Sequence, residues 1–450
     1  MAKLSSIKEY EAYKESGFEW IGNVPENWEI TKLGACLSPV SIKNCAGLPL
    51  LSITRELGVI ERNLQEQGSN HNFIPDDLSG YKKLVKGQFG MNKMKAWQGS
   101  YGVSKYTGIV SPAYYVFNFT KTINPEFFNW AIRSKLYVSY FGSASDGVRV
   151  GQWDLSKDRM KTIPFILPTE NEQIAIAKFL DNKATQIDEA IAIKEKQIDL
   201  LKERKQIIIQ QAVTQGLDPD VTMKHSGVDW IGEIPKHWNE VTKIKYISSL
   251  KGRQGWQGLK AEEYTDEGPH VLSSAHFNNY IIDWSKCPRV SYERYLMDTN
   301  IQLQIGDILL MKDGANMGKL AFVSDLPGPA CLNSHLLLIR SLRDKQSGTT
   351  YFNSKYMFFH MMCAEFQDYV KINGTGATFL GISQESIGNY QLCLPPMDEQ
   401  EIIVSFLEKE TLLYDEAISQ QERQIEKLKE YKTTLINSAV TGKIKVPGVV

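Results

Sequence analysis

The stretch "KESGFEWIGNVPENWEITKLG" runs from Lys14 to Gly34, and "KHSGVDWIGEIPKHWNEVTKI" runs from Lys224 to Ile244. Trp20, Pro25 and Trp28 return as Trp230, Pro235 and Trp238, each 210 positions later. A phrase written twice marks a duplicated unit. A second pair follows: "LPTENEQIAIAKFL" from Leu167 is answered by "LPPMDEQEIIVSFL" from Leu394, at an offset of 227. The text between the two phrases is therefore 17 residues longer in the second copy, and it diverges almost completely. Each half reads as an opening phrase, a variable domain and a long helix.

The helices are the most legible elements. From about Glu172 to Ala212 the chain lacks Gly and Pro, and it stops at "VTQGLDP". Apolar residues recur at spacings of three and four through Ile187, Ile191, Ile198, Leu201 and Ile208. The second copy repeats the register with Tyr414, Ile418, Ile425, Leu428 and Leu435, then stops at "AVTGK". Such seams specify coiled-coil pairing, here of the two helices with each other. The other faces carry mixed charge, eight acids and seven bases between Glu170 and Ala212, as a solvated helix does.

Short apolar runs between turn residues, such as "GIVSPAYYVFNF" and "GDILLMK", predict strands in the variable segments. The fold class expected is α+β: two variable domains separated by two long antiparallel coiled-coil helices, with a pseudo-twofold internal repeat. The domains expected are 1–166 (opening segment and first variable domain), 167–216 (central long helix), 217–393 (linker and second variable domain) and 394–450 (second long helix and tail). The C-terminal "AVTGKIKVPG" is expected beside the N-terminal segment.

Composition narrows the function. The chain has 450 residues, a net charge of −1, and no apolar run of membrane-spanning length. Its start is polar, without the apolar core of a secretory signal. Six scattered cysteines have no C-x-x-C spacing, and seven histidines form no H-E-x-x-H pair, which argues against zinc and disulfides and fits a reducing cytoplasm. "GANMGK" at Gly314 is one residue short of a phosphate-cradling loop, and no Asn-Pro-Pro-aromatic motif of amino-methyltransferases is present. The chain reads as a binder with no catalytic residues, metal site or cofactor of its own.

Basic residues gather where nucleic acid would need them. Between Leu78 and Pro125 there is no acid, but there are seven lysines interleaved with aromatic residues. Val241 to Lys260 is also free of acids and carries Lys243, Lys245, Lys251, Arg253 and Lys260. Lysines supply phosphate attraction through counterion release, whereas amides and aromatics meet base edges and sugars.

The order "WIG..P..W", variable domain, "LP...EQ..I...L", heptad helix, "AVTG" resembles the DNA-specificity subunits of type I restriction–modification systems, over essentially the whole chain. The resemblance implies two target-recognition domains, each reading one half of a bipartite double-stranded DNA target. It implies a helix pair that sets the spacer and docks two methyltransferase (modification) subunits, through which restriction/translocase subunits attach. S-adenosylmethionine, ATP and Mg would then belong to those partners, and the location would be cytoplasmic. A seam of about 29 residues from Ala184 to Ala212 spans roughly 43 Å, against roughly 34 Å for half-sites one DNA turn apart. The other reading is a scaffold joining two protein-binding domains without DNA.

The candidate DNA-binding residues of the first domain are Lys82, Lys83, Lys93, Lys95, Trp97, Gln98, Ser100, Tyr101, Lys105, Arg149 and Gln152. Those of the second are Lys251, Arg253, Gln254, Gln257, Lys312, Asp313, Asn316, Lys319, Thr375 and Thr378.

Overall fold

The structure, a computed structural model, describes residues 8–62, 75–146, 153–228, 231–253, 259–376 and 380–449. The chain divides into two compact units, Met1–Glu195 with Glu422–Val450, and Lys196–Gln421. Each unit therefore takes a stretch of both long helices, Glu170–Gln215 and Met397–Val440.

The repeat predicted from the duplicated phrases is a repeat of topology. In the first unit the opening phrase forms a hairpin, Tyr13–Glu15 against Asn23–Pro25, with Tyr13 opposite Pro25. In the second, Met223–His225 pairs with Glu233–Pro235 in the same register, with Met223 opposite Pro235. Each unit then builds one four-stranded antiparallel sheet. Its order is Leu37–Val40, Tyr115–Phe119, Phe89–Met91, Tyr101–Val103 in the first unit. It is Ser248–Gly252, Leu336–Ser341, Ile308–Met311, Leu320–Phe322 in the second. The second unit adds a three-stranded sheet of Arg289–Val290, Tyr264–Leu272 and Ala330–Leu332, with its own core around Val271, Leu309 and Leu338.

The "LP...EQ" phrase has a physical reason. Glu172 is buried at 4% exposure, and its Oε1 accepts the indole N–H of Trp28 at 3.1 Å. Its Oε2 accepts both the backbone N–H and the hydroxyl of Thr169, the residue just before the long helix. Next to it, Gln173 donates to the Pro168 carbonyl at 2.9 Å and accepts from the Asn124 backbone N–H at 2.7 Å. Asn124 in turn caps the helix Pro125–Ile132. The second unit repeats the tryptophan and glutamine contacts, with Pro396 in the place of Thr169. Trp238 donates to Glu399 at 3.1 Å, and Gln400 links the Pro395 carbonyl to the N–H of Asn353. Asn353 caps Ser354–Met362. A buried amide or carboxylate must be fully partnered, so the Trp, the Pro, the Glu-Gln pair and the cap recur together.

Within the first unit the helices run antiparallel: Asp188 receives Lys432 at 2.7 Å, and Lys194 meets Gln424 further along. Ile187, Leu435 and Ala439 enter its main core. In the second unit Lys205 reaches Asp415 at 2.7 Å, and Ile209, Val213, Ile403 and Leu407 join the core. Of the ten seam positions, Ile187, Ile198, Ile418, Ile425 and Leu435 are buried, and Ile191, Leu201, Ile208, Tyr414 and Leu428 are half-buried.

The tail closes on the N-terminal segment as expected. Lys445 N–H donates to the Lys8 carbonyl at 2.7 Å, and Lys443 Nζ donates to the Asn23 carbonyl. Gly442, at φ +71°, lies so close to Pro25 and Trp28 that a Cβ would overlap the proline ring.

Gly442→Ala should lower the thermal midpoint of the first unit by the equivalent of about 1–3 kcal/mol, since it adds overlap to a left-handed backbone. Circular dichroism or calorimetric melting measures it. His360, fully buried and hydrogen-bonded to Tyr390 at 3.2 Å, is pushed down to about 4 by burial. Unfolded histidine titrates near 6.5, so unfolding binds a proton anywhere between these values. Stability should therefore fall as pH drops from about 6.5 towards 4, by roughly 1.4 kcal/mol per unit at full slope. Denaturation of the parent and of His360→Leu across that range checks this, with the variant showing the flatter profile.

Candidate nucleic-acid interface

The strand Phe89–Met91 ends at Asn92, and Lys93 opens the short helix Lys93–Gln98. Lys93 Nζ donates to Asp154 Oδ2 at 2.9 Å, and that bond holds its ammonium above the usual lysine range. Lys82, on the strand Lys82–Leu84, donates to the Tyr114 carbonyl at 2.6 Å. Its own pKa is lowered, first by burial and then by the positive charges of Lys157, Lys43 and Lys93. Lys157 lies 4.8 Å over the Tyr115 ring, a cation–π contact. Four lysines from separate parts of the chain thus converge on one region, with Asp154 beside Lys93. Lys43 and Lys157 are exposed. No window of sequence contains this cluster: Lys157 sits beyond the acid-free stretch, next to Asp158, and Lys43 stands alone in "SIKN".

Of the other first-domain candidates, Lys95 and Lys105 are exposed, and Lys83 and Gln98 are half-buried. Trp97 is half-buried and packs on Trp153 at 4.9 Å between ring centroids, with its indole N–H enclosed. Ser100 and Tyr101 correct the expectation. They are 2% and 0% exposed, and Tyr101 packs between Phe89 and Phe141, so neither side chain is open to a ligand. The strand Tyr101–Val103 lies in the sheet and turns the tyrosine into the core. Arg149 and Gln152 lie outside the described residues.

In the second unit, Lys312 follows the strand Ile308–Met311. Asp313 Oδ2 lies 3.5 Å from Lys312 Nζ and 3.6 Å from His335 Nδ1, and His335 is exposed. Asn316 and Lys319, both exposed, line an open groove of about 700 Å³ with Gln206, Gln210 and Tyr280. The Lys319 ammonium donates inward to the Phe277 carbonyl at 2.9 Å. Lys251 is exposed on its edge strand, and Thr375 is exposed where it bridges Gly381. Arg253 is a second correction: it is 3% exposed, donating to the Leu332 carbonyl at 2.9 Å and to Cys331 Sγ at 3.4 Å. An arginine buried in this way and satisfying interior acceptors holds the fold and is shielded from a base. Gln254, Gln257 and Thr378 lie outside the described residues.

Among the described residues, no group of three or more His, Cys, Asp or Glu is arranged to hold a metal ion. No helix among them is long and apolar enough to cross a membrane.

Comparison with known proteins gives one result throughout. Residues 241–429 match the family model described as the type I restriction modification DNA specificity domain. The chain is 24% identical over 456 residues to a putative type I restriction enzyme specificity subunit, MjaX, of Methanocaldococcus jannaschii, covering 96% of this chain and 98% of that one. It is 23% identical over 450 residues to the MjaVIII specificity subunit of the same organism, covering 96% and 97%. Among solved structures, it superposes on a chain of a type I restriction–modification assembly with a TM-score of 0.70, at 16% identity over 93% of this chain and 98% of that one. The crystal structure of the HsdS subunit from Thermoanaerobacter tengcongensis matches with a TM-score of 0.53, at 15% identity over 96% and 100%.

The Tyr101 hydroxyl is buried with no hydrogen-bond partner among the described residues. Tyr101→Phe should leave stability unchanged or raise it by up to about 1 kcal/mol, because an unpaired buried hydroxyl is unfavourable. A melting comparison reads it, and a drop of several degrees would show that the hydroxyl is partnered.

Proposed function

We propose that this chain, which belongs to the DNA-specificity subunits of type I restriction–modification systems, reads a bipartite duplex DNA word, one half with each unit. Its role is specificity and not catalysis. The observation that carries the reading is that Lys43, Lys93 and Lys157 lie near enough to Lys82 for their positive charge to depress it, with Lys157 over the Tyr115 ring. Lys82 is depressed first by burial and then by its neighbours' positive charge, so a phosphate arriving there relieves that repulsion as well as releasing counterions. In the second unit Lys251, Lys312 and Asn316, with His335 beside them, form the corresponding surface.

The two units share one frame and differ in the side chains that the frame carries. Two unlike half-sites require that: phosphate contacts set position in both, and base-edge contacts differ. The helix pair sets the spacing between half-sites and docks two methyltransferase subunits, through which restriction/translocase subunits join. S-adenosylmethionine, ATP and Mg stay on those partners, and the complex works in the cytoplasm. The sequence-level candidates Lys95, Lys105, Gln98 and Thr375 remain available at the surface as further contacts.

Genome-wide mapping of methylated adenines tests this, in cells carrying the chain with its modification partner against cells lacking the chain. The expected outcome is one motif of two short half-sites around a fixed unspecified spacer. Identical maps from a soluble complex would favour a scaffold that binds no DNA. Lys157→Ala should weaken binding of all duplexes alike and reduce the salt slope of log K by about 1. Binding titrations from about 50 to 200 mM salt measure it.

A further inference from the structure

Lys93 and Lys312 occupy the same place in their units. Each follows the central strand of its hairpin, Phe89–Met91 or Ile308–Met311. Each backbone carbonyl accepts a hydrogen bond from the residue just before a capping serine, Leu155 N–H at 3.3 Å or Ile382 N–H at 2.8 Å. Ser156 and Ser383 then cap the helices Lys157–Thr162 and Gln384–Gly388. One step before Leu155 and Ile382 stand Asp154 and Gly381, which also sit in matching backbone bridges, to Asp146 and to Thr375.

The equivalent positions thus hold an aspartate in one unit and a glycine in the other. The second unit nevertheless has a carboxylate at that spot. A Cβ added to Gly381 would fall 2.6 Å from Asp313 Oδ1, so Asp313 fills from the other side the space an aspartate at 381 would need. Both units end with a carboxylate beside the strand-end lysine: Asp154 at 2.9 Å from Lys93 and Asp313 at 3.5 Å from Lys312. All four side chains are partly exposed, from 25% to 47%. The carboxylate keeps its place while the residue supplying it changes.

A carboxylate repels phosphate, so a surface that only gripped the backbone would do better without it. On a base edge it has a use. In the major groove, guanine O6 or thymine O4 accepts, and the exocyclic amino group of the paired cytosine or adenine donates. These two groups are hydrogen-bonded to each other and so lie roughly 2.9–3.0 Å apart, close to the spacing of each lysine–aspartate couple. We propose that Lys93–Asp154 and Lys312–Asp313 are the shared base-reading element of the two units, ammonium on the keto oxygen and carboxylate on the amino group of one base pair in each half-site. With the couple held in one direction, G·C and T·A are accepted at that position. Their reversals place a donor against the ammonium and an acceptor against the carboxylate. The proposal rests on the DNA-reading function above and names one specificity-determining pair in each unit.

The test uses the full chain with its modification partner and reads the methylated-adenine motif. Asp313→Asn should loosen one position of one half-site, with roughly a tenfold or greater loss of discrimination there. Asp154→Asn should do the same in the other half-site only. Gly381→Asp alone sets two carboxylates in one place and should lower methylation of the parent word. The double variant Asp313→Gly with Gly381→Asp returns the arrangement of the first unit and should restore that word. An unchanged motif from both asparagine variants overturns the proposal. So does a double variant that melts like the parent and does not restore the word. Complete loss of methylation by Asp313→Asn counts against it unless the double variant recovers it, and if the double variant melts early, Asp154→Asn decides. A parent chain that yields no motif at all overturns the DNA-reading function, and the base-reading couple with it.

Discussion

Everything else in each unit hangs on a hydrogen-bonded pair of neighbours, the buried Glu172 and Gln173 in one, the half-buried Glu399 and buried Gln400 in the other. These side chains are 4% and 1% exposed in the first unit, and such burial is tolerable only when every polar atom is partnered. Their partners come from three places: the tryptophan of the opening phrase, the proline carbonyl before the long helix, and the backbone of a helix-capping asparagine. One node therefore ties the opening hairpin, the variable domain and the long helix together. Substituting any member leaves a buried group unsatisfied, which explains why the whole phrase recurs while the text between does not.

With the frame held from below, the strand ends are free to differ. The same four-stranded sheet is built from "FGM", "YGV" and "YVFNF" in one unit and from "ILLM", "LAF" and "LLLIRS" in the other. The second unit accommodates its longer variable segment with a three-stranded sheet and a separate core. Near the strand ends the electrostatics follow a common plan by different residues. A lysine closes the central strand, and a carboxylate stands beside it, supplied from the distant loop by Asp154 or from the next residue by Asp313.

The parts of the fold that were legible in sequence are those governed by local rules. The duplicated phrase, the heptad register and the Gly and Pro stops all act over a few residues, and the structure has the α+β class and the internal repeat they imply. The surface was legible only in part. Lys93 and Lys312 stand out as basic residues after an apolar run, and both are partly exposed. Tyr101 and Arg253 carry the same basic and aromatic signal, yet both are buried, because strand direction and interior acceptors decide which way a side chain points. Lys43 and Lys157 are silent in the sequence for the opposite reason: no local pattern sets them apart from ordinary solvated lysines.

Sequence by itself determined that this chain is a repeat with a long helix in each half, and which family it resembles, because periodicity, capping and buried polar phrases are written in consecutive residues. Only the tertiary structure decided which charges share a face and that Asp313 stands where Asp154 has its counterpart. Those facts depend on distances between residues tens of positions apart, which backbone pairing sets and local sequence does not encode.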